Sequence, residues 1–275
     1  FQPEKRLEDF SEQAFIEVIQ ANTLVPMLWL KTLTPVLSNT VSCNEVCKIT
    51  FFSAKDTAIE HHATLAALFE LLDVTSRADI KSDLLQELER QKQSLEALRR
   101  NPNVSESALE EVLENIQITF RSMLNIPGKV GEHLRDNEWL MSIKQRAAVP
   151  GGVSAFDLPS YHYWLHSDPD ARRQDLNDWL TPLLPVRDGF SIVLHLLRKS
   201  GKTASYFAEQ GIFQQTGGGF SAHLLRLNIN DDLPCVPEIS ANKYALNIRF
   251  VPSGLGQKNK VYEEDVNFEL TFCNL

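Results

Sequence analysis

Apolar residues recur every three or four positions through much of the chain. Leu65, Leu68, Phe69 and Leu72 follow that spacing, as do Ile80, Leu84, Leu88, Leu95 and Leu98. Residues three and four apart share one face of an α-helix, so each set predicts a buried stripe. Lys81, Asp83, Glu87, Glu89, Arg90 and Lys92 occupy the other positions of the second set and form its solvated face. Asn101 and Pro102 stop that helix. Ser107 and Glu110 form a capping pair for the next one, which buries Leu109, Val112, Leu113, Ile116 and Phe120 and ends at Pro127-Gly128. A single helix is predicted over Glu132 to Arg146, closed by the break Val149-Pro150-Gly151-Gly152. Ser154 to Phe156 reads as a short strand, and Asp157 as the cap of a helix with Pro159 in its first turn. Two more helices follow on Leu176, Trp179, Leu180, Leu183 and on Val186, Phe190, Val193, Leu194, Leu197.

After Gly201 the period falls from about 3.6 to 2. Leu225, Leu227 and Ile229 alternate with Arg226 and Asn228. Leu246, Ile248 and Phe250 alternate with Asn247 and Arg249, and Val266, Phe268, Leu270 and Phe272 with Asn267, Glu269 and Thr271. Such alternation predicts half-buried antiparallel strands. Gly217 to Gly219 and Ser253 to Gly256 read as connections. The fold class is α+β, a helix bundle with a C-terminal antiparallel β-sheet. The helical domain is read over 51–150 and 157–203, and the β domain over 151–156 and 204–275. Residues 1–50 match neither pattern: Pro26, Pro35 and the polar run Ser38 to Asn44 disfavour a helix.

A net charge of −9 disfavours general affinity for nucleic acid or anionic lipid. No uninterrupted apolar stretch reaches the ~20 residues of a bilayer span, and four cysteines are too few for a disulfide framework. The reading is a cytoplasmic protein with reduced thiols. Ser200-Gly201-Lys202-Thr203 ends like a phosphate-binding loop, but Leu196 stands where that motif needs glycine. His162 and His166 are spaced to share a helix face, yet a zinc site needs a third ligand, and Tyr163 replaces the glutamate of a metalloprotease motif. The adjacent His61 and His62 read as surface residues, and Cys43 and Cys47 as a chance pair. No catalytic residue, metal site or cofactor is predicted. Arg135, Lys144 and Arg146 fall in one predicted helix with separations that permit a shared basic face, although Asp136 and Glu138 dilute it. Arg226, Lys243 and Arg249 form a second candidate basic surface on the strands.

Together these residues carry a family likeness. Leu134-Arg135, Trp139-Leu140, Ile143-Lys144-Gln145-Arg146, Pro150-Gly151-Gly152, Phe156-Asp157-Leu158-Pro159 and His162-Tyr163-Trp164-Leu165-His166 resemble the signature of ZapD proteins. Leu224-Leu225-Arg226-Leu227, Pro237-Glu238-Ile239-Ser240, Ile248-Arg249-Phe250 and Phe268-Glu269-Leu270 extend the resemblance, which covers about Phe51 to Cys273. It implies a non-enzymatic homodimer, recruited to the midcell division ring, that binds the C-terminal tail of the tubulin-like protein FtsZ through a basic pocket. It further implies bundling of FtsZ filaments and lower GTP turnover. The resemblance assigns tail binding to Arg135 and His162; Lys144, Arg146, Arg226 and Arg249 are added as nearby candidates. Glu138 stands where the family has a basic or polar residue. Phe1 to Thr50 departs from the family's arginine-rich first helix, and reads as a variant extension, a wrong start or a frame-shifted stretch. A metal-dependent hydrolase at His162 and His166, or an RNA-binding regulator using the sheet, are the alternatives.

Overall fold

A computed structural model of the protein describes residues 16–18, 53–75, 79–102, 104–217, 222–230, 232–242, 244–254 and 260–274. Most of the atypical segment 1–50, Cys43, Cys47, Lys243 and parts of the two glycine connections lie outside the described residues. The chain divides into two compact units, Leu28–His195 and a second formed by Phe1–Met27 with Leu196–Leu275.

The first unit is helical. Its elements are α1 (Ala58–Thr75), α2 (Ile80–Ala97), α3 (Glu106–Leu124), α4 (Glu132–Arg135), α5 (Glu138–Ala147), α6 (Pro159–Leu165) and α7 (Pro169–Leu180), followed by α8 (Leu184–Lys199), whose last turns enter the second unit. Most of the predicted stripes are buried, Leu65, Leu68 and Leu72 on α1, Leu84 and Leu88 on α2, Leu113 and Ile116 on α3, but Leu98, predicted to close the α2 stripe, is exposed in a 3-10 turn after that helix. Helix boundaries differ from the prediction in four places. Ser105, not Ser107, caps α3, accepting from the Ala108 amide. The helix predicted over Glu132 to Arg146 is two helices, because the Asn137 side chain accepts from the Leu140 amide at 3.0 Å and starts a new one. A polar side chain that bonds the local backbone competes with the helical ladder in this way. Ser154–Phe156 is turn, not strand, and belongs to the helical unit. Asp157 bonds back to Ser154, and Leu158 holds the cap position of α6 without a side-chain bond. A single 3-10 turn, Thr181–Leu183, joins α7 to α8. By length and composition the run 169–199 could cross a bilayer. Its Leu176, Leu183, Val186 and Val193 are buried.

His61 is the largest departure from expectation within α1. It is fully buried, not a surface residue, and its Nε2 lies 2.7 Å from the Lys55 carbonyl. Its Nδ1 is buried without a partner. Burial holds its pKa below the ordinary value, and the nearby Arg172 acts in the same direction, outweighing the Lys55 carbonyl and Glu60. The ring is therefore neutral when folded, whereas the unfolded chain takes up that proton near pH 6.5. Below that pH the unfolded state binds more protons, so this contribution is complete above about pH 6.5 and is lost as the pH falls. The urea midpoint of the helical unit is expected to drop between pH 7 and pH 5.5, with a shallower drop in His61→Gln.

The second unit contains two sheets where one was predicted. One has the order β1-β4-β7-β2, built from β1 (Ile16–Val18), β4 (Leu224–Ile229), β7 (Val266–Cys273) and β2 (Lys202–Ala208). The other has the order β3-β6-β5, from β3 (Ile212–Thr216), β6 (Ala245–Pro252) and β5 (Cys235–Ala241). All strand pairs are antiparallel. The predicted period-two positions Leu225, Leu227, Leu246, Ile248, Phe250, Val266, Phe268 and Leu270 join one core drawn from both sheets. The Phe268 ring meets Phe213 at 5.2 Å and Phe250 at 5.3 Å. The α+β class is as expected.

A candidate anion-binding surface at the end of a helix

The last four carbonyls of a helix have no partner within it, and the helix dipole places partial negative charge there. Helix α1 carries no basic residue in its last turn. Two cations from other elements come to it instead. Arg135, half-buried at the end of α4, donates through Nη1 to the Val130 carbonyl at 2.9 Å. Through Nη2 it reaches the Leu72 carbonyl at 3.5 Å and Thr75 Oγ1 at 3.4 Å. Lys144 of α5 donates to Asp73 Oδ1 at 2.6 Å. A guanidinium has five N–H groups, so these three contacts leave donors for an incoming carboxylate.

Gly131 makes the approach of α4 to α1 possible. Its φ is +75°, and a Cβ there would lie 2.6 Å from Leu72 Cδ2. An L side chain would be strained and would also push into the turn that Arg135 grips. Gly151 and Gly152 serve the end of α5 in a similar way. Gly151 has φ +76°, and a Cβ on Gly152 would stand 2.4 Å from the Arg146 carbonyl oxygen. This explains the Pro-Gly-Gly signature physically: the chain folds back against the end of α5, where Arg146 lies 4.0 Å from Asp157.

Helix α6 is anchored elsewhere on α1. Tyr161 is buried, and its hydroxyl lies 2.6 Å from His62 Nδ1. Burial pushes the Tyr161 phenol upward, so it stays a neutral partner of His62. Trp164 packs near His61, with ring centroids 6.2 Å apart. The centroids of Trp139, Trp164 and Trp179 form a triangle with sides of 5.8, 5.7 and 5.9 Å. On this support α6 presents His162 to solvent, its ring 4.2 Å from His166. His166 Nδ1 lies 2.8 Å from the His162 carbonyl. The predicted shared face of the two histidines is present. Among the described residues, however, no group of three or more His, Cys, Asp or Glu is arranged to hold a metal ion.

The six candidates thus fall into separate sets. Arg135 and Lys144 converge on the last turn of α1. Arg146 shares α5 with Lys144 but is two residues on, so it points elsewhere. His162 belongs to α6, whose contact at His62 is eleven residues from Asp73, roughly 16 Å along α1 at helical rise. Arg226 is on β4, half-buried, in register with Thr271. Arg249 is on β6 in the other sheet and donates to Glu238 at 2.6 and 3.1 Å. The strands therefore do not give Arg226 and Arg249 one common sheet surface. Sequence reasoning missed Asp73 and Thr75. The available signal was an aspartate in the last turn of a helix, where the dipole disfavours it.

Comparison with known proteins identifies the lineage. The family model for ZapD, a cell division protein, matches residues 45–249. A cell division protein ZapD of Nitrosomonas europaea is 63% identical over 228 residues, covering 83% of this chain and 87% of that protein. The proteins of the same name from Dechloromonas aromatica (52% identical over 229 residues, 83% and 91% covered) and Janthinobacterium sp. (47% over 227 residues, 82% and 90% covered) are also similar. With its helical signature and strands β2 to β5 inside the matched span, this chain belongs to the ZapD family of cell division proteins.

Proposed function

We propose that the protein acts in division by binding the C-terminal tail of FtsZ and crosslinking FtsZ filaments, in the cytoplasm at the midcell ring. The observation that carries this reading is the convergence of Arg135 and Lys144 on the last turn of α1, in a chain of otherwise negative charge. A local cationic surface of this kind suits a short acidic-apolar peptide. A bidentate arginine–carboxylate contact supplies orientation as well as energy. His162, exposed on α6, is the second residue that the family likeness assigns to the tail.

A tail that orders on docking binds weakly at any one site. A homodimer carries two such sites and a filament many tails, so linked weak contacts hold filaments side by side. Slower GTP turnover follows if bundled filaments exchange subunits less readily. In this reading the protein has no catalytic role, no cofactor and no nucleic-acid partner, and it does not insert in membranes. Co-sedimentation with FtsZ, with and without its tail, tests the reading over a salt series. Pelleting that needs the tail and declines between 50 and 300 mM salt is expected. Equal pelleting of tail-less FtsZ, or no salt response, would refute the tail mechanism.

A further inference from the structure

Asp73 is poorly placed for helix stability. It sits in the last turn of α1, with no basic residue of that turn to balance it. A carboxylate at a helix C-terminus opposes the macrodipole and costs about 0.3–1 kcal/mol. Its side chain is 59% exposed, so it is not needed to fill the core. What Asp73 does is hold Lys144, 28% exposed, at 2.6 Å. Local rules broken without a packing reason concentrate at functional positions.

We infer that Asp73 is a built-in competitor for the anion-binding surface: its carboxylate occupies Lys144 until a carboxylate of the docking partner displaces it. This rests on the reading that Arg135 and Lys144 receive an acidic tail. An exposed lysine–aspartate pair is worth only about 0–1 kcal/mol, so displacement is easy and the pair weakens the first contact without blocking it. The device also selects. A neutral peptide gains nothing by separating the pair, whereas a peptide carboxylate replaces one ion pair with another. Glu138, at the start of α5, adds negative charge to the same helix. The surface is therefore tuned down from the affinity its two cations alone would give, which keeps each docking event reversible.

The test measures fluorescence anisotropy of a labelled FtsZ C-terminal tail peptide on the full chain, with Asp73→Asn, Lys144→Ala and the double variant. Asp73→Asn is expected to bind about two- to fivefold more tightly, with a steeper salt dependence, and to unfold at no lower temperature than the wild type. Lys144→Ala is expected to weaken binding and to cancel the gain in the double variant. If the wild type binds and Asp73→Asn does not tighten binding, or if the gain survives in the double variant, the competitor role is overturned while the tail reading stands. If neither the wild type nor Asp73→Asn binds the peptide, both fall together.

Discussion

Replacing Arg172 with leucine is expected to lower the unfolding free energy of the helical unit by about 3 kcal/mol. Arg172, on α7, is 3% exposed, and two of its three guanidinium nitrogens bond inside the fold. Nη1 donates to the Leu165 carbonyl, and Nη2 donates to the Asp56 carbonyl at 2.6 Å. These acceptors belong to the end of α6 and to the segment before α1, so one guanidinium fastens three stretches of chain. Arg173 adds a contact to the Asp56 carboxylate from the exposed side. Leucine would fill part of the volume but leave two carbonyls without donors, each costing about 1–3 kcal/mol when buried. Relief of a desolvated charge offsets some of that loss. Hydrogen exchange checks the location as well as the size: amides in the first turns of α1 and in α6 should lose protection first. An unchanged denaturation midpoint would mean that the three stretches hold together without Arg172.

The second large effect concerns Arg135. Arg135→Ala is expected to reduce tail affinity at least tenfold and to lower stability by about 1–2 kcal/mol. Both effects have one source, because the same guanidinium holds the Val130 and Leu72 carbonyls and is proposed to receive the partner. Arg135→Lys separates the two roles. A lysine keeps the charge but cannot bond Val130, Leu72 and Thr75 from one planar group. Its affinity should fall between wild type and alanine, with a stability loss closer to that of alanine. Isothermal titration with the tail peptide and thermal unfolding of the same samples measure both quantities. Arg135→Ala with wild-type affinity would restrict Arg135 to fastening α1.

The elements were legible wherever burial alone decides. The stripes of α1, α2 and α3, and the alternating positions of β4, β6 and β7, are residues for which one face meets a core and the other water. The exceptions are positions where a single polar side chain redirects the backbone. Asn137 splits the stretch from Glu132 to Arg146, which reads as one helix. Ser154 and Asp157 bond each other and turn a stretch that otherwise reads as extended. The candidate site was legible as a set of residue types but not as a geometry. Arg135 and Lys144 are nine apart on what reads as one helix. They meet only because that helix breaks and both segments address the end of α1. Asp73 lay hidden because its partner is 71 positions away. His61 looked like a surface residue because of its polar type, although it stands four positions before Leu65 on the buried stripe; Lys55, Trp164 and Arg172 from three other segments enclose it.

The tryptophan triangle has a practical meaning for any study of this molecule. Trp139, Trp164 and Trp179 all lie in the helical unit, the fourth tryptophan, Trp29, falls outside the described residues, and neither 1–27 nor 196–275 contains a tryptophan. Intrinsic emission excited at the red edge therefore reports on one half of the protein and is blind to the sheets. If the two units melt separately, emission will follow only the first transition or only the second, while far-ultraviolet dichroism sees both. A single emission curve must not be taken as the stability of the whole chain. The same asymmetry makes the protein its own two-channel sensor, with indole light for the helices and peptide dichroism for the sum.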